Sequence, residues 1–216
     1  MMEILFKILL GIHITGGTLG LLAGTVSMVR KKGDKLHRSI GNVFLFGMLA
    51  AGATSLALSI IHPNYFLLIT GVFTLYMAST GRRYLYLKKS GSPQPIDWAL
   101  TGLMFIAAMV FVICGSFKVS AGDNFGFVFI AFGVIGMRFV KADRSNYTGR
   151  SKIKNYWLTG HLQRMTGCYI AALTAFLAVN GAVITQWIPN YVLWLLPTFI
   201  LVPLIVVWTK KYKVKV

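Results

Sequence analysis

Long, uninterrupted apolar segments recur along this chain of 216 residues, and few charged residues fall inside them. A membrane-spanning helix needs about 20 mostly apolar residues. Charged residues make up 12% of the chain, which is about half of what a soluble domain usually carries. The segments are continuous rather than alternating, which excludes a transmembrane β-barrel. The sequence therefore predicts an all-α fold, a polytopic transmembrane helical bundle in which residues 1–216 form a single transmembrane domain.

The apolar segments predict seven spans. They cover about residues 4–29, 40–61, 65–80, 97–117 with Asp97 as N-cap, 125–140, 161–185, and 191 to the basic tail at 210. The first run lacks a signal-peptide cleavage motif and is expected to be the first span. The longest connection is expected at residues 141–160, and a turn is expected at residues 186–190 with Trp187 at the membrane edge.

Lys and Arg residues are concentrated in every second connection between the predicted spans. Of the 22 Lys and Arg residues, 19 lie in the connections after spans 1, 3 and 5 or in the C-terminal tail. Because Lys and Arg collect on the cytoplasmic side, the N-terminus is expected outside and the C-terminus in the cytoplasm. The net charge of +17 thus indicates topology and contact with the lipid bilayer, including anionic head groups, rather than nucleic-acid binding. A homo-oligomer is compatible with this pattern.

A short internal similarity suggests a repeat. IHPNYFLL at residues 61–68 resembles WIPNYVLW at residues 187–194, and both follow a helix that runs outward. Two parallel three-helix repeats, residues 1–89 and 124–216 joined by span 4, would fit this pattern. Such repeats are known in small transporters.

Two of the four histidines lie at the predicted cytoplasmic start of an outgoing helix, namely His37 and His161. Two imidazoles at one depth could ligate a haem b iron or another metal ion. Neighbouring arginines could hold haem propionates or a phosphate head group. The candidate cofactor-binding residues are His37, His161, Arg38, Arg83 and Arg164, and the polar residues Asp97 and Asp143 lie at the same predicted depth. The alternative is a solvated rim in contact with lipid.

His13 lies about 13 Å into the first span by helical rise. An ionisable residue at that depth usually faces the bundle interior and suggests function. His13 is therefore a third candidate metal ligand beside His37 and His161, or a proton relay, or a buried histidine bonded to a carbonyl. We expect it to share a face with Gly17, Gly20 and Gly24 and to meet a polar group. The expected partners are Ser55, Thr70, Thr74 or Thr174.

Span 6 carries a stripe of small residues, which in lipid lets helix backbones approach closely. The stripe consists of Gly167, Ala171, Thr174, Ala178 and Gly181, and Asn180 is a further polar candidate beside it. The pattern predicts a central helix with neighbours on more than one side.

Several motifs resemble those of a known family. They are HRSIG after the first basic connection, HPN at residues 62–64, DW at the start of span 4 and H..RM at the start of span 6. Together they resemble an uncharacterised family of bacterial multi-span membrane proteins, a domain of unknown function, over almost the whole chain. The resemblance implies the bacterial cytoplasmic (inner) membrane and assigns no catalytic residue.

Common enzyme signatures are absent from the sequence, among them HExxH, the P-loop and the nucleophile elbow. No reaction is therefore predicted. The first interpretation is a cofactor- or small-ligand-binding membrane protein that holds haem or a metal, with electron transfer as its use. The alternatives are a small transporter of two three-helix halves and a structural or accessory subunit of a membrane complex.

Overall fold

The protein is described by a computed structural model at residues 2–184 and 190–214. Within these ranges the chain forms seven α-helices and no β-strand, which confirms the predicted all-α fold. The helices are α1 (Met2–Val29), α2 (Lys35–Ile61), α3 (Tyr65–Ser90), α4 (Pro95–Ser120), α5 (Gly126–Tyr147), α6 (Tyr156–Ile184) and α7 (Asn190–Tyr212). The turn predicted at residues 186–190, with Trp187 and Pro189, lies outside the described residues apart from its last position, Asn190.

Five of these helices are long and apolar enough to cross a membrane, namely α1, α2, α4, α6 and α7. In α3 the apolar residues are interrupted by Thr, Ser, Gly and Tyr. Several α3 side chains are nevertheless buried, including Ile69, Phe73 and Met77. A helix covered by protein has less need of a lipid-compatible surface, so its lower apolar content fits its burial. In length and composition these helices are compatible with an integral membrane protein.

The described chain divides into two compact units. The first unit contains Met1–Arg82 and Gly160–Tyr212, and the second contains Arg83–Thr159 and Lys213–Val216. The boundaries differ from those of the two predicted repeats, residues 1–89 and 124–216, because the main segment of the second unit, Arg83–Thr159, lies between the two segments of the first.

Two connections predicted as loops are largely helical. Helix α3 continues to Ser90 instead of ending near residue 80, and it ends only before Gly91, whose φ is +70°. Helix α5 likewise continues to Tyr147 and ends before Gly149, with φ +69°. Glycine takes this left-handed conformation without steric cost and commonly follows a helix end. The predicted loop of residues 141–160 therefore shrinks to 148–155, since basic residues can continue a helix beyond its apolar part.

The prediction that Asp97 is the N-cap of α4 is wrong by one turn. Gln94 is the N-cap, Pro95 follows at the first helical position, and Asp97 occupies the third. The Asp97 carboxylate accepts the backbone N–H of Gln94 at 2.8 Å, as in a capping box. Proline suits the first helical position because its missing N–H would be unsatisfied there anyway.

Glycines bring helices close together in both units. In the first unit, a Cβ at Gly47 of α2 would lie 2.6 Å from the Gly16 carbonyl oxygen of α1. The face of α1 that packs on α2 therefore includes Gly16, whereas nothing lies within 4 Å of a Cβ at Gly17, which was predicted for that face. In the second unit, a Cβ at Gly126 of α5 would lie 2.5 Å from the Gly115 carbonyl oxygen of α4.

Candidate functional site

His161 lies in the second turn of α6, where its ring is fixed by a main-chain acceptor. Its Nδ1 lies 2.8 Å from the carbonyl oxygen of Gly81 on α3. A carbonyl only accepts, so Nδ1 carries the proton and Nε2 keeps its lone pair. Gly81 permits this approach, because a Cβ there would lie 3.1 Å from the Arg164 Cβ and 3.2 Å from the Met165 Sδ. The arrangement leaves Nε2 as the nitrogen available to a ligand.

His37 lies near the start of α2 and is placed by the helix cap. Asp34 is the N-cap, and its carboxylate accepts the backbone N–H of His37 at 2.6 Å. The hydrogen bond to this N–H lowers the pKa of Asp34 below its ordinary value of 3.8. The half-buried ring lies within hydrogen-bonding reach of the Ser27 backbone near the end of α1. Within the described residues, neither its buried Nδ1 nor the buried Oγ of Ser27 makes a well-formed hydrogen bond.

Both histidines belong to the first unit, although 124 positions separate them in sequence. The two rings interact electrostatically. The Gly81 carbonyl engages Nδ1 of His161, which leaves Nε2 of that ring as the nitrogen for a ligand.

Of the arginines predicted near these histidines, two belong to the first unit. Arg164 follows His161 by three positions and is 2% exposed. Its guanidinium lies 5.1 Å from the ring centre of Tyr76 and donates to that tyrosine's hydroxyl at 3.2 Å. Arg38 is exposed and donates from Nε to the Gly33 carbonyl at 3.1 Å. Arg82 was not predicted and interacts electrostatically with His161.

Lys32 is a further residue that the sequence did not single out. Its ammonium donates to the carbonyls of Ser27, at 2.8 Å, and Met28, at 2.5 Å, and it lies 4.9 Å from the ring centre of Trp208 on α7. Burial removes water from the ammonium and lowers the pKa of Lys32. A cation at the C-terminal end of α1 also complements the helix dipole. The Lys32 side chain thus caps the C-terminal end of α1.

No group of three or more His, Cys, Asp or Glu residues that could hold a metal ion occurs in the described part of the chain. His13, His37 and His161 therefore do not converge on one metal site. His13 instead lies against α2, with Nδ1 3.1 Å from the Ala51 carbonyl oxygen and 3.3 and 3.4 Å from the hydroxyls of Thr54 and Ser55. The carbonyl contact is the one expected of a buried histidine, and Ser55 was among the expected polar neighbours.

In the second unit, Arg83 and Asp97 form a bidentate ion pair. The Nε of Arg83 lies 2.7 Å from one carboxylate oxygen of Asp97, and Nη2 lies 3.0 Å from the other. The same Nη2 donates to the Gln94 side chain at 2.8 Å. Asp97 is fully buried. Arg83, which was predicted to bind a cofactor, is therefore engaged by α4.

Asp143 is the second fully buried carboxylate of this unit. It accepts the hydroxyl of Tyr84 at 2.5 Å, and the Thr101 hydroxyl lies 3.2 Å from its other oxygen. The Asn146 amide donates to the Tyr84 hydroxyl at 2.9 Å, so that this hydroxyl both accepts and donates. The Thr101 hydroxyl is also 3.0 Å from the Asp97 carbonyl, and its single hydrogen serves one of these acceptors at a time.

These side chains join the end of α3, the start of α4 and the end of α5 by hydrogen bonds between buried groups. The sequence indicated the two carboxylates but not Tyr84, Thr101 or Asn146. The spacing of Asp143 and Asn146, three residues apart and so on one helix face, is the signal that could have indicated part of the network. Asn180, the remaining predicted polar residue, donates to the Phe176 carbonyl of its own helix at 2.9 Å.

Comparisons with known proteins add no relative. No family model, no curated protein and no solved structure matches this chain.

Proposed function

We propose that this chain is a seven-span protein of the bacterial inner membrane, with its N-terminus outside, that binds haem b between His37 and His161 for electron transfer. The location rests on the motifs shared with the bacterial multi-span family. The orientation rests on 19 Lys and Arg residues, which lie in every second connection and in the C-terminal tail.

The observation that supports haem binding is that two histidines from distant parts of the sequence belong to the first unit and interact electrostatically. The sequence predicted both at one depth, and the helices that carry them belong to the same compact unit. Two imidazoles, one of them fixed with Nε2 free, would be suitable ligands for haem iron, with His37 and His161 as the residues that hold it.

The surroundings fit such a group in charge and in polarity. Arg82 interacts with His161, and Arg164 lies one turn further along α6. Guanidinium groups pair well with carboxylates such as haem propionates. The buried Nδ1 of His37 makes no well-formed hydrogen bond in the described part of the chain, and buried polar atoms are normally satisfied. When bound, haem would supply reversible one-electron chemistry at iron.

A visible absorption spectrum tests this proposal. The protein is produced in cells supplied with haem precursor and purified in mild detergent, and haem is counted per chain as its pyridine complex. We expect a Soret band of low-spin haem that shifts or is lost in both His37→Ala and His161→Ala.

His62→Ala is the matched control. His62 lies at the opposite end of α2, where its ring packs edge-on against Phe6 at 4.4 Å, and its removal should leave the spectrum unchanged. A folded protein that is colourless and does not take up added haem would refute the proposal.

A further inference from the structure

The C-terminal tail is held by the connection that precedes α6. The carbonyl oxygen of Val214 accepts the backbone N–H of Lys154 at 2.9 Å, and the Val214 N–H donates to the side-chain oxygen of Asn155 at 2.9 Å. Both segments belong to the second unit. Residues 150–155 and 213–214 therefore lie side by side, and together they are called the basic patch.

The basic patch is positively charged and open to the outside. Its four cations are exposed residues, namely Arg150, Lys152, Lys154 and Lys213. No Asp or Glu occurs in the sequence after Asp143. Among the described residues, none of the four cations forms an ion pair. Their charge is therefore not neutralised by a neighbouring side chain.

The carboxylates of the second unit are engaged elsewhere. Residues 83–159 contain three acidic residues, and two of them, Asp97 and Asp143, are fully buried in the hydrogen-bonded groups described above. The third, Asp123, pairs with Lys118 at 2.6 Å. A surface of one charge sign raises the local concentration of ions of the opposite sign, so the basic patch favours an anionic partner.

The neighbouring helices indicate that this partner is a membrane surface. The first segment of the patch ends directly before α6, which begins at Tyr156, and the second follows α7, which ends at Tyr212. Both helices are long and apolar enough to cross a membrane. Trp157 lies in the first turn of α6, and the Lys88 ammonium is 4.5 Å from the centre of its ring. Because indole rings prefer the head-group level, the start of α6 is expected there.

We propose that the basic patch binds the phosphate groups of anionic phospholipids. Clusters of Lys and Arg directly beside a spanning helix attract anionic head groups, and lysine binds phosphate as a point charge. The two hydrogen bonds of Val214 hold Lys213 beside the cations of the other segment before any lipid arrives. Binding then does not have to order the tail, which would cost conformational entropy. Such a site is independent of haem.

The test counts bound lipid by native mass spectrometry of the full chain, purified in mild detergent and freed of lipid. Phosphatidylglycerol or phosphatidylcholine is then added. Wild type should bind phosphatidylglycerol more tightly. The patch variant, Lys152→Gln with Lys154→Gln and Lys213→Gln, should bind phosphatidylglycerol about tenfold more weakly, since each basic residue near an anionic surface adds several-fold to the affinity. Its binding of phosphatidylcholine should not change.

The control variant removes the same amount of charge from other exposed positions. It carries Lys31→Gln, Lys35→Gln and Lys89→Gln, and it should keep most of the affinity for phosphatidylglycerol. Asn155→Ala separates arrangement from charge, because it removes the acceptor of the Val214 N–H and leaves every cation in place. It should lower the affinity by less than the patch variant does.

A patch variant that binds phosphatidylglycerol as wild type does would overturn the proposal. Equal losses in the patch and control variants would also overturn it, because net charge alone would then explain binding. Wild-type affinity in Asn155→Ala would overturn the role of the paired tail, and this variant decides if the patch variant does not fold. Tighter binding of polyglutamate or of a short RNA than of phosphatidylglycerol would overturn the assignment to lipid.

Discussion

The guanidinium of Arg83 holds both carboxylate oxygens of Asp97, with N···O distances of 2.7 and 3.0 Å, and the Asp97 side chain is fully buried while that of Arg83 is 19% exposed. Asp97 also accepts the Gln94 backbone N–H, so one carboxylate serves the ion pair and the helix cap. Removing it affects the junction of α3 and α4 in two ways.

Asp97→Ala should therefore destabilise the protein by about 3 kcal/mol, since removal of one partner from a buried pair leaves the other charge uncompensated. Thermal unfolding in detergent, followed by circular dichroism, measures the change. Lys7→Ala is the control, because it breaks the exposed pair of Lys7 and Glu3, whose side chains are 71% and 79% exposed. Exposed pairs contribute little, so equal effects of the two variants would contradict the assigned role of Asp97.

Tyr84→Phe removes one hydroxyl from the network around Asp143. Asp143 loses a donor at 2.5 Å and the Asn146 amide loses its acceptor at 2.9 Å, both in a buried environment. The expected destabilisation is about 1–3 kcal/mol, the usual cost of a buried polar group that loses its partner. Tyr86→Phe, at a 44% exposed position of the same helix, should change the unfolding temperature much less. If the two variants behave alike, the Tyr84 hydroxyl does not stabilise the second unit.

Gly47→Ala tests the close approach of α1 and α2. The new methyl group would lie 2.6 Å from the Gly16 carbonyl oxygen, which is main chain and cannot move aside alone. We expect a destabilisation of about 1–3 kcal/mol, typical of overpacking. Gly17→Ala adds a methyl group at the next position of α1, where nothing lies within 4 Å, and should be neutral or stabilising because alanine favours helices. Denaturant unfolding of both variants in the same detergent would show whether this order holds.

Acid should weaken the cap of α2 through Asp34. The pKa of Asp34 is below its ordinary value of 3.8 in the folded protein, because its carboxylate accepts the His37 backbone N–H. A carboxyl with a depressed pKa stabilises the fold fully above its unfolded pKa, and this contribution is lost as the pH falls from 3.8 through the folded value. Asp34→Asn keeps a capping oxygen without a titrating group. The unfolding temperature of wild type should therefore fall more than that of Asp34→Asn below about pH 4, and parallel curves would be inconsistent with this role.

Topology is tested with a reporter that is active only in the cytoplasm. Fused after Val216 it should be active, and inserted at Gly122, in the turn between α4 and α5, it should be silent. The reason is the near absence of Lys and Arg from that turn, compared with the basic tail. Activity at both positions would contradict seven spans.

Hydropathy and turn residues were sufficient to predict helices rather than strands and the approximate positions of all seven. They placed helix ends badly where charge follows an apolar run, as in α3 and α5, because Lys and Arg end a membrane span but not a helix. Gly16 and Gly17 lie three and four residues after His13, and both spacings place a residue on the same helix face as His13. The sequence therefore could not show that Gly16, rather than the predicted Gly17, packs on α2.

The candidate site was predictable only in part. Histidines are rare enough in this chain for a shared depth to be informative, and His37 and His161 belong to the same unit. Tyr84 belongs to a residue type that occurs throughout the chain, and its partners Asp143 and Asn146 lie 59 and 62 positions away in sequence. The hydroxyl that pairs with a given carboxylate depends on the rotation of each helix about its axis. This rotation cannot be read from a single sequence.

The main segment of the second unit lies between the two segments of the first, and this has a consequence for biosynthesis. During translation His37 is synthesised early, the whole segment from Arg83 to Thr159 follows, and His161 is synthesised only after that segment. Until then, the Gly47 and Gly16 contact can form while the ring of His37 has no second imidazole beside it. The part of the first unit made before Arg83 must therefore persist without α6 and α7 during translation, and any cofactor that needs both histidines can be acquired only after the nascent chain has passed His161.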